Sequence, residues 1–214
     1  MPIVISSLHP KGGVGKSTTA LCIAECARVH EQQDVLVLDT DPQGTSARWS
    51  QSAETGPLVV HTPNVEQLEA EIERLGSAYE LVVVDGSAQL KGATGAVIRL
   101  SDLVLLPVQP SPADVWATEP IVQLIHDRRE AVGSPAAGFV VNRATPNTNI
   151  ADDVVDVLES MDLPVLATLH QRVAFVEALV TGETPLTYKP KGKAANEQNA
   201  LYDAAIELLA THYA

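Results

Sequence analysis

The sequence predicts an α/β fold with a mostly parallel, twisted sheet and helices on both of its faces. Short apolar runs alternate with helical patterns along almost the whole chain, which is typical of repeated strand–helix–strand units with right-handed crossovers. The apolar runs are continuous stretches of Val, Leu and Ile, as expected for strands that are covered on both faces. Aromatic residues make up only 4% of the 214 residues, so aliphatic side chains must build most of the core. No linker interrupts the alternation, and we expect a single domain over residues 1–214.

The predicted elements follow each other from the first residues to the last. The predicted strands are Ile3–Ser7, Val35–Asp39, Leu81–Asp85, Leu103–Val108, Gly138–Asn142 and Val165–Leu169. The predicted helices are Lys16–His30, Val65–Gly76, Ala113–Ala131, Ile150–Ser160 and Asn196–Thr211. Within 65–76 the apolar residues recur at helical spacing and the pattern ends at a glycine. The polar segment 181–197, which contains Pro, Gly and Lys, is predicted to be a surface loop before the last helix.

The composition excludes several classes of protein. The chain has 27 acidic and 14 basic residues and a net charge of −13, so it has no overall attraction for nucleic acid or an anionic membrane. No apolar run approaches the roughly 18 residues that a membrane span requires. The first residues lack the basic region of a secretory signal, and we expect a cytoplasmic protein. Cys22 and Cys26 are expected to be reduced, buried thiols, and the six histidines show no metal-ligand spacing.

The strongest local signal is the glycine-rich segment HPKGGVGKSTTA, residues 9–20, between the first strand and the first helix. This context is the one that a phosphate-binding loop requires, because glycines let successive backbone N–H groups turn towards phosphate oxygens. Lys16 is expected to neutralise the β- and γ-phosphates, and the Ser17 hydroxyl to bind Mg²⁺. The N-terminus of the helix adds a favourable dipole for an anion.

Three aspartates follow predicted strands at the edge where ligands of open α/β sheets bind. Asp39 and Asp41 flank Thr40 in VLVLDTDPQG, and alternation in an extended chain places both on one side. A turn that uses these carboxylates as caps is the alternative interpretation. Asp85 ends the apolar run LVVVD, which is the arrangement of a Walker B aspartate that contacts Mg²⁺ through water.

The glycine-rich segment departs from the ordinary phosphate-loop pattern, since position 10 is proline and Lys11 precedes the glycines. KGGVGKST therefore resembles the deviant Walker A box of the ParA/MinD family of P-loop ATPases. The resemblance implies ATP or ADP with Mg²⁺ as cofactors, and a homodimer that forms on ATP binding. It also implies that Lys11 reaches the partner subunit's nucleotide. The nucleotide contacts that it implies within the box are Lys11, Gly12, Gly13, Val14, Gly15, Lys16, Ser17 and Thr18.

Further residues take roles from the same resemblance. The box DTDPQ at 39–43 implies that Asp41 positions or activates the attacking water and that Asp39 supports the metal shell with Ser17 and Asp85. Lys11, Lys16 and Asp41 are thus the implied catalytic residues of a slow, partner-stimulated ATPase. The segment FVVNR at 139–143 implies that Asn142 reads the adenine edge. The segment LLPVQPSPADVWA at 105–117 resembles a stretch near the family's dimer face.

The chain is most similar to the short ParA-type partition ATPases, which lack an N-terminal helix-turn-helix domain. That similarity implies non-specific, nucleoid-associated DNA binding by the ATP-bound dimer, with hydrolysis stimulated by a centromere-binding ParB-type protein or another adaptor. The predicted DNA contacts are Arg172, Lys189, Lys191 and Lys193. A solvated lysine-rich loop is the alternative for these residues, and positioning of a non-DNA cargo is the alternative function. We do not expect membrane binding, because the C-terminal AAIELLATHYA carries no Lys or Arg.

Overall fold

The computed structural model describes residues 2–64, 67–88, 94–146 and 150–214. Within this part of the chain, seven strands form one parallel sheet in the order β3-β2-β4-β1-β5-β6-β7. The strands are β1 Ile3–Ser7, β2 Val35–Asp39, β3 Leu58–His61, β4 Leu81–Asp85, β5 Leu103–Val108, β6 Ala136–Ala144 and β7 Val165–His170. Asp85 is in register with both Ser7 and Asp39, so the carboxyl ends of the three central strands lie at one level.

The first six helices connect successive strands, and the last three follow β7. The helices are α1 Lys16–His30, α2 Thr45–Ser52, α3 Leu68–Gly76, α4 Thr94–Leu100, α5 Pro112–Val132, α6 Ile150–Glu159, α7 Val173–Val180, α8 Pro185–Tyr188 and α9 Lys193–His212. No helix of the described ranges is long and apolar enough to cross a membrane.

Two apolar clusters hold the helices on opposite faces of the sheet. On one face, alternate side chains of the central strands pack with residues of α3, α4, α5 and α6, among them Ile72, Ile98 and Leu158. On the other face, the intervening side chains pack with α1, α8 and α9 through residues such as Ile23 and Leu201. The central strands β1, β2, β4 and β5 are therefore buried on both sides, which is why their sequences are continuously apolar.

The predicted fold class is confirmed, and the errors lie in the shorter elements. Strands β1, β2, β4 and β5 and helix α1 have the predicted limits, whereas β6 and β7 extend further than predicted. Strand β3 and helices α2, α4 and α7 were not predicted. The loop predicted over 181–197 is wrong, because α8 lies within it and α9 begins at Lys193 rather than at Asn196. The predicted start of the helix that corresponds to α3, residues 65 and 66, lies outside the described residues.

Candidate functional site

The glycine-rich segment forms the connection between β1 and α1 at the carboxyl edge of the sheet. Gly13 and Gly15 have φ values of +79° and +108°, which side chains with a Cβ rarely adopt. A Cβ on Gly15 would lie 1.7 Å from Asn142 Nδ2, so glycine is required there for space as well as for conformation. Gly15 is also the N-cap of α1, and the first N–H groups of that helix open towards the loop. This geometry is suited to an anion.

Lys16 is nearly buried, and its ammonium group crosses the loop. Lys16 Nζ donates a hydrogen bond to the Lys11 carbonyl oxygen at 2.8 Å. Burial lowers the pKa of Lys16, and the negative charges of Asp85 and Asp41 partly offset that effect. A poorly solvated cation beside a ring of backbone N–H groups favours the binding of phosphate oxygens.

Lys11 lies against the first turn of α5 in its own chain. Its Nζ donates to the Ala113 carbonyl oxygen at 2.7 Å and to Asp114 Oδ1 at 2.8 Å. The Lys11 side chain is 42% exposed, so this ion pair is accessible to solvent. Two residues beyond Asp114, Trp116 is 65% exposed on the same helix.

Asp85 is fully buried at the end of β4, and the described residues satisfy only one of its two oxygens. Its Oδ2 accepts a hydrogen bond from the Ser46 hydroxyl at 2.7 Å, and its Oδ1 has no hydrogen-bond partner in the described part of the chain. Burial raises the pKa of Asp85 to about 7, although the hydroxyls of Ser46 and Ser17 oppose the shift. A buried carboxylate oxygen with a free acceptor site fits a hydrated divalent cation held together with the Ser17 hydroxyl.

Asp39 and Asp41 have different surroundings although they are two residues apart. Both oxygens of the buried Asp39 accept backbone N–H groups: Oδ1 from Asp41 at 3.1 Å and Oδ2 from Ala47 at 2.9 Å. Asp41 is partly exposed, and its Oδ1 accepts the Gln43 N–H at 2.9 Å. The Asp39 carboxylate thus fixes the loop that leads into α2, and Asp41 lies on that loop.

Asn142, predicted to contact adenine, packs against the glycine-rich loop. Its Nδ2 donates to the Val14 carbonyl oxygen at 2.6 Å, and its Oδ1 accepts the Arg143 N–H at 2.9 Å. The side chain is buried, and each end of its amide already has a protein partner. In this structure Asn142 fixes the conformation of the loop, and the adenine contact stays a prediction.

Sequence reasoning missed several residues that organise the site. Gln109, at the end of β5, donates from Nε2 to the Gly13 carbonyl oxygen at 2.9 Å. Thr40 donates from Oγ1 to the Asp85 carbonyl oxygen at 2.8 Å and accepts the Ser87 N–H at 3.2 Å, which joins the ends of β2 and β4. A polar residue directly after a buried strand was the available signal for Gln109 and Thr40. Ser46 gave no such signal, because its contact with Asp85 depends on the tertiary fold.

Two of the four predicted DNA contacts are paired with carboxylates. Arg172 donates from Nε at 3.0 Å and from Nη2 at 2.5 Å to Glu197 Oε1, which also accepts from His170 Nδ1. Lys189 Nζ lies 3.0 Å from Glu177 Oε2. Lys191 and Lys193 are exposed at the start of α9. The structure therefore gives Arg172 and Lys189 acidic partners and leaves the side chains of Lys191 and Lys193 exposed.

The remaining metal and thiol expectations concern groups outside this site. Cys22 and Cys26 are buried, free thiols, and burial raises the pKa of Cys26 to about 12. Within the described ranges, no cluster of three or more His, Cys, Asp or Glu residues has the arrangement of a metal site.

The segment that contains the loop and the strand-end carboxylates lies within the range of a known family. A model of the CobQ/CobB/MinD/ParA nucleotide binding domain matches residues 5–186. The chain belongs to this family. The resemblance to the ParA/MinD group that the sequence indicates is thereby confirmed.

Individual relatives cover nearly the whole chain. The maintenance of carboxysome distribution protein A of Gloeobacter kilaueensis is 30% identical over 213 residues, which are 97% of this chain and 94% of the relative. An ATP complex of a McdA variant from Cyanothece superposes with a TM-score of 0.76 at 13% identity, over 98% of this chain and 96% of that chain. The MinD of Pyrococcus horikoshii complexed with Mg-ADP has a TM-score of 0.73 at 19% identity, over 99% of both chains. These two structures share the fold of this family and hold the nucleotides and the metal ion expected for it.

Proposed function

We propose that this protein is an ATPase of the ParA/MinD type that alternates between a nucleotide-free or ADP-bound monomer and an ATP-bound dimer. The observation that carries the proposal is the buried Asp85 carboxylate, whose Oδ1 has no hydrogen-bond partner among the described residues and lies in the same site as the desolvated Lys16. A lone buried acceptor and a desolvated cation beside a glycine-rich loop complement Mg²⁺ and a triphosphate, respectively.

The residues of the site divide the work of binding and hydrolysis. The backbone N–H groups of the loop and the Lys16 ammonium bind the phosphates, and Ser17 and Asp85 hold Mg²⁺, Asp85 in part through water. The metal ion would neutralise charge on the phosphates. Asp41, on the partly exposed loop that Asp39 fixes, orients the attacking water. Catalysis then comes mainly from positioning and from charge stabilisation.

Lys11 gives the proposed switch two positions. In this structure the ammonium group is bound by Asp114 and Ala113 of its own chain. An accessible ion pair of this kind contributes only about 0.2–1 kcal/mol, so a nucleotide phosphate on the partner subunit can displace it. Asp114 therefore holds Lys11 before dimerisation, and Lys11 completes the partner's site after it.

The cargo that we propose is a protein assembly, with DNA as the surface on which the ATP-bound dimer is retained. The similarity to a carboxysome distribution protein from Gloeobacter kilaueensis supports this choice. Segregation of a plasmid or chromosome through a ParB-type partner is the second candidate. The exposed Lys191 and Lys193 beside the start of α9 support retention on DNA, which both candidates require. Either cargo requires an adaptor protein that stimulates hydrolysis.

A filter-retention assay on a non-specific duplex tests both the dependence on ATP and the binding of DNA. We expect retention with ATP and Mg²⁺ but not with ADP or without nucleotide, and a steep loss as salt rises. The double variant Lys191→Ala with Lys193→Ala should weaken retention. It should also reduce the slope of log affinity against log salt concentration by about two per chain. Lys189→Ala is the matched control, because its ammonium group is already paired with Glu177.

Three variants separate nucleotide binding from dimerisation. Lys16→Ala should lose tight nucleotide binding, Lys11→Ala should bind ATP but neither dimerise nor hydrolyse it, and Asp41→Ala should accumulate as an ATP-bound dimer. Light scattering with ATP and Mg²⁺ measures the dimer. Full activity of Lys11→Ala would contradict the role of the signature lysine, and normal turnover of Asp41→Ala would contradict the role of that aspartate. ATP-dependent dimers that never retain DNA would support the proposed ATPase and contradict the proposed binding to DNA.

A deletion of the gene in its native host separates the two cargoes. Loss of the regular spacing of a protein assembly, with normal plasmid and chromosome inheritance, supports the first candidate. The reverse phenotype supports the second.

A further inference from the structure

His9 is a buried histidine that touches two parts of the site at once. It is 1% exposed and lies two residues before Lys11. His9 Nδ1 accepts the Lys11 backbone N–H at 3.0 Å, and His9 Nε2 lies 3.3 Å from the Asp114 carbonyl oxygen. A backbone N–H can only donate and a carbonyl oxygen can only accept, so these partners require a neutral ring with its proton on Nε2.

The two partners of His9 are also joined by the Lys11 side chain. Lys11 Nζ donates to Asp114 Oδ1, and the Lys11 carbonyl oxygen accepts from Lys16 Nζ. The backbone of Lys11 is thus held from both sides, by His9 at its N–H and by Lys16 at its carbonyl. Neither contact involves the Lys11 ammonium group, so neither has to break when the Lys11 side chain leaves Asp114.

We propose that His9 is a positioning residue that, as a neutral imidazole, ties the Lys11 backbone to the first turn of α5 while the Lys11 side chain exchanges between Asp114 and the partner subunit's nucleotide. The inference rests on the proposed function and deepens it. His9 acts through the Lys11 peptide and has no contact of its own with the nucleotide. Protonation of Nδ1 removes the acceptor for the Lys11 N–H and loosens the start of the phosphate loop.

The charges around His9 define the pH range of this effect. Burial lowers the pKa of His9, Asp114 on α5 opposes the shift, and Lys11 in the loop and Lys16 on α1 add to it. The ring is therefore neutral near pH 7. The hydrogen bond from the Lys11 N–H to His9 Nδ1 is lost as the pH falls below the ordinary histidine value of about 6.5. Nucleotide binding that depends on His9 should weaken only on this acidic side.

Two isosteric variants test which nitrogen matters. In His9→Asn the amide oxygen can replace Nδ1 as the acceptor for Lys11, whereas in His9→Gln the amide can replace only Nε2 at Asp114. The readouts are the Kd of a fluorescent ATP analogue with Mg²⁺ and the ATP-dependent dimer fraction, each between about pH 5 and pH 8. We expect His9→Ala and His9→Gln to raise Kd by roughly tenfold at pH 7.5, as the loss of one buried hydrogen bond predicts. His9→Asn should recover most of that loss.

The pH profile distinguishes a positioning role from a purely structural one. The nucleotide and Asp85 titrate in the same range in every variant, so the ratio of wild-type to His9→Asn Kd isolates His9. This ratio should rise by several-fold as the pH falls below the ordinary histidine value of about 6.5. A ratio that does not change with pH, in a wild-type protein that binds ATP, overturns the proposal for His9 alone. Failure of the wild-type protein to bind ATP at any pH overturns the proposed function instead.

Discussion

The buried charge of Asp85 predicts that replacing it stabilises the nucleotide-free protein. The side chain is fully buried, and its pKa rises from an ordinary value of 3.8 to about 7. A shift of this size corresponds to a penalty of at most about 4 kcal/mol for the ionised form. Asp85→Asn removes the charge and keeps an acceptor for the Ser46 hydroxyl, but it buries an amide N–H₂ that costs roughly 1–3 kcal/mol without a partner. We therefore expect the free energy of unfolding to rise by about 2 kcal/mol and the Tm by roughly 4–8 °C.

The effect of Asp85 on stability has a defined pH window. An acid whose pKa is higher in the folded state binds its proton more tightly there, so this group lowers stability as pH rises from about 4 to about 7. The Tm of Asp85→Asn should lie below that of the wild type at pH 4, where only the cost of the buried amide remains, and should exceed it by the full amount above pH 7. Thermal unfolding of the nucleotide-free protein across this range measures it.

Asp39→Asn is the matched control, and it should change stability in the opposite direction. Asp39 is as deeply buried as Asp85, but both of its oxygens accept backbone N–H groups. One amide N–H₂ would then face a donor, which destabilises the protein by roughly 1–3 kcal/mol.

Asp85→Asn should also lose the additional rise in Tm that Mg²⁺ gives in the presence of ADP. An Asp85→Asn protein that is no more stable than the wild type at pH 8 would refute the argument.

Three further predictions follow from individual contacts. Gly15→Ala, whose Cβ would lie 1.7 Å from Asn142 Nδ2, should lose nucleotide affinity by more than about tenfold in an ATP titration, whereas Gly12→Ala, with nothing within 4 Å of its Cβ, should lose less. Asp114→Asn should lower the ATP concentration for half-maximal dimerisation by about twofold to fivefold, because it weakens the pair that holds Lys11; an unchanged midpoint in light scattering would contradict this. Glu197→Gln should strengthen ATP-dependent retention of a duplex, since it frees Arg172, and equal strengthening by Glu207→Gln, at an exposed glutamate further along α9, would assign the effect to net charge alone.

The central strands could be predicted from the sequence because burial on both faces leaves a continuous apolar run. Strand β3 gave no such signal: Leu58–His61 is a short edge strand whose residues are half-buried or exposed. Helix α7 was missed because VAFVEALV is apolar on nearly every side, with exposed valines at 173, 176 and 180, so its sequence has no clear helical face. The apolar periodicity of a segment depends on which of its side chains are buried. In β3 and α7 exposed positions carry apolar residues, so their sequences lack that periodicity.

The candidate site was predictable at the level of strand ends and not at the level of single oxygens. Parallel strands bring their carboxyl ends to one edge, so the placement of Asp39 and Asp85 followed from the pattern. Their different partners did not follow, because they depend on the backbone at Ala47 and on the Ser46 hydroxyl. Asn142 illustrates the same limit, since a strand-end amide can face a ligand or a neighbouring loop.

The position of Trp116 gives this protein an optical signal of its own. The chain has two tryptophans: Trp49 is buried and donates from Nε1 to the Glu183 carbonyl oxygen, whereas Trp116 is 65% exposed two residues beyond Asp114. Exposed and buried indoles differ in emission wavelength and in access to a soluble quencher, so the two contributions can be separated. A partner subunit that covers the start of α5 would shift and protect the Trp116 emission and leave that of Trp49 unchanged. Association of unlabelled chains can thus be followed in real time by their own fluorescence.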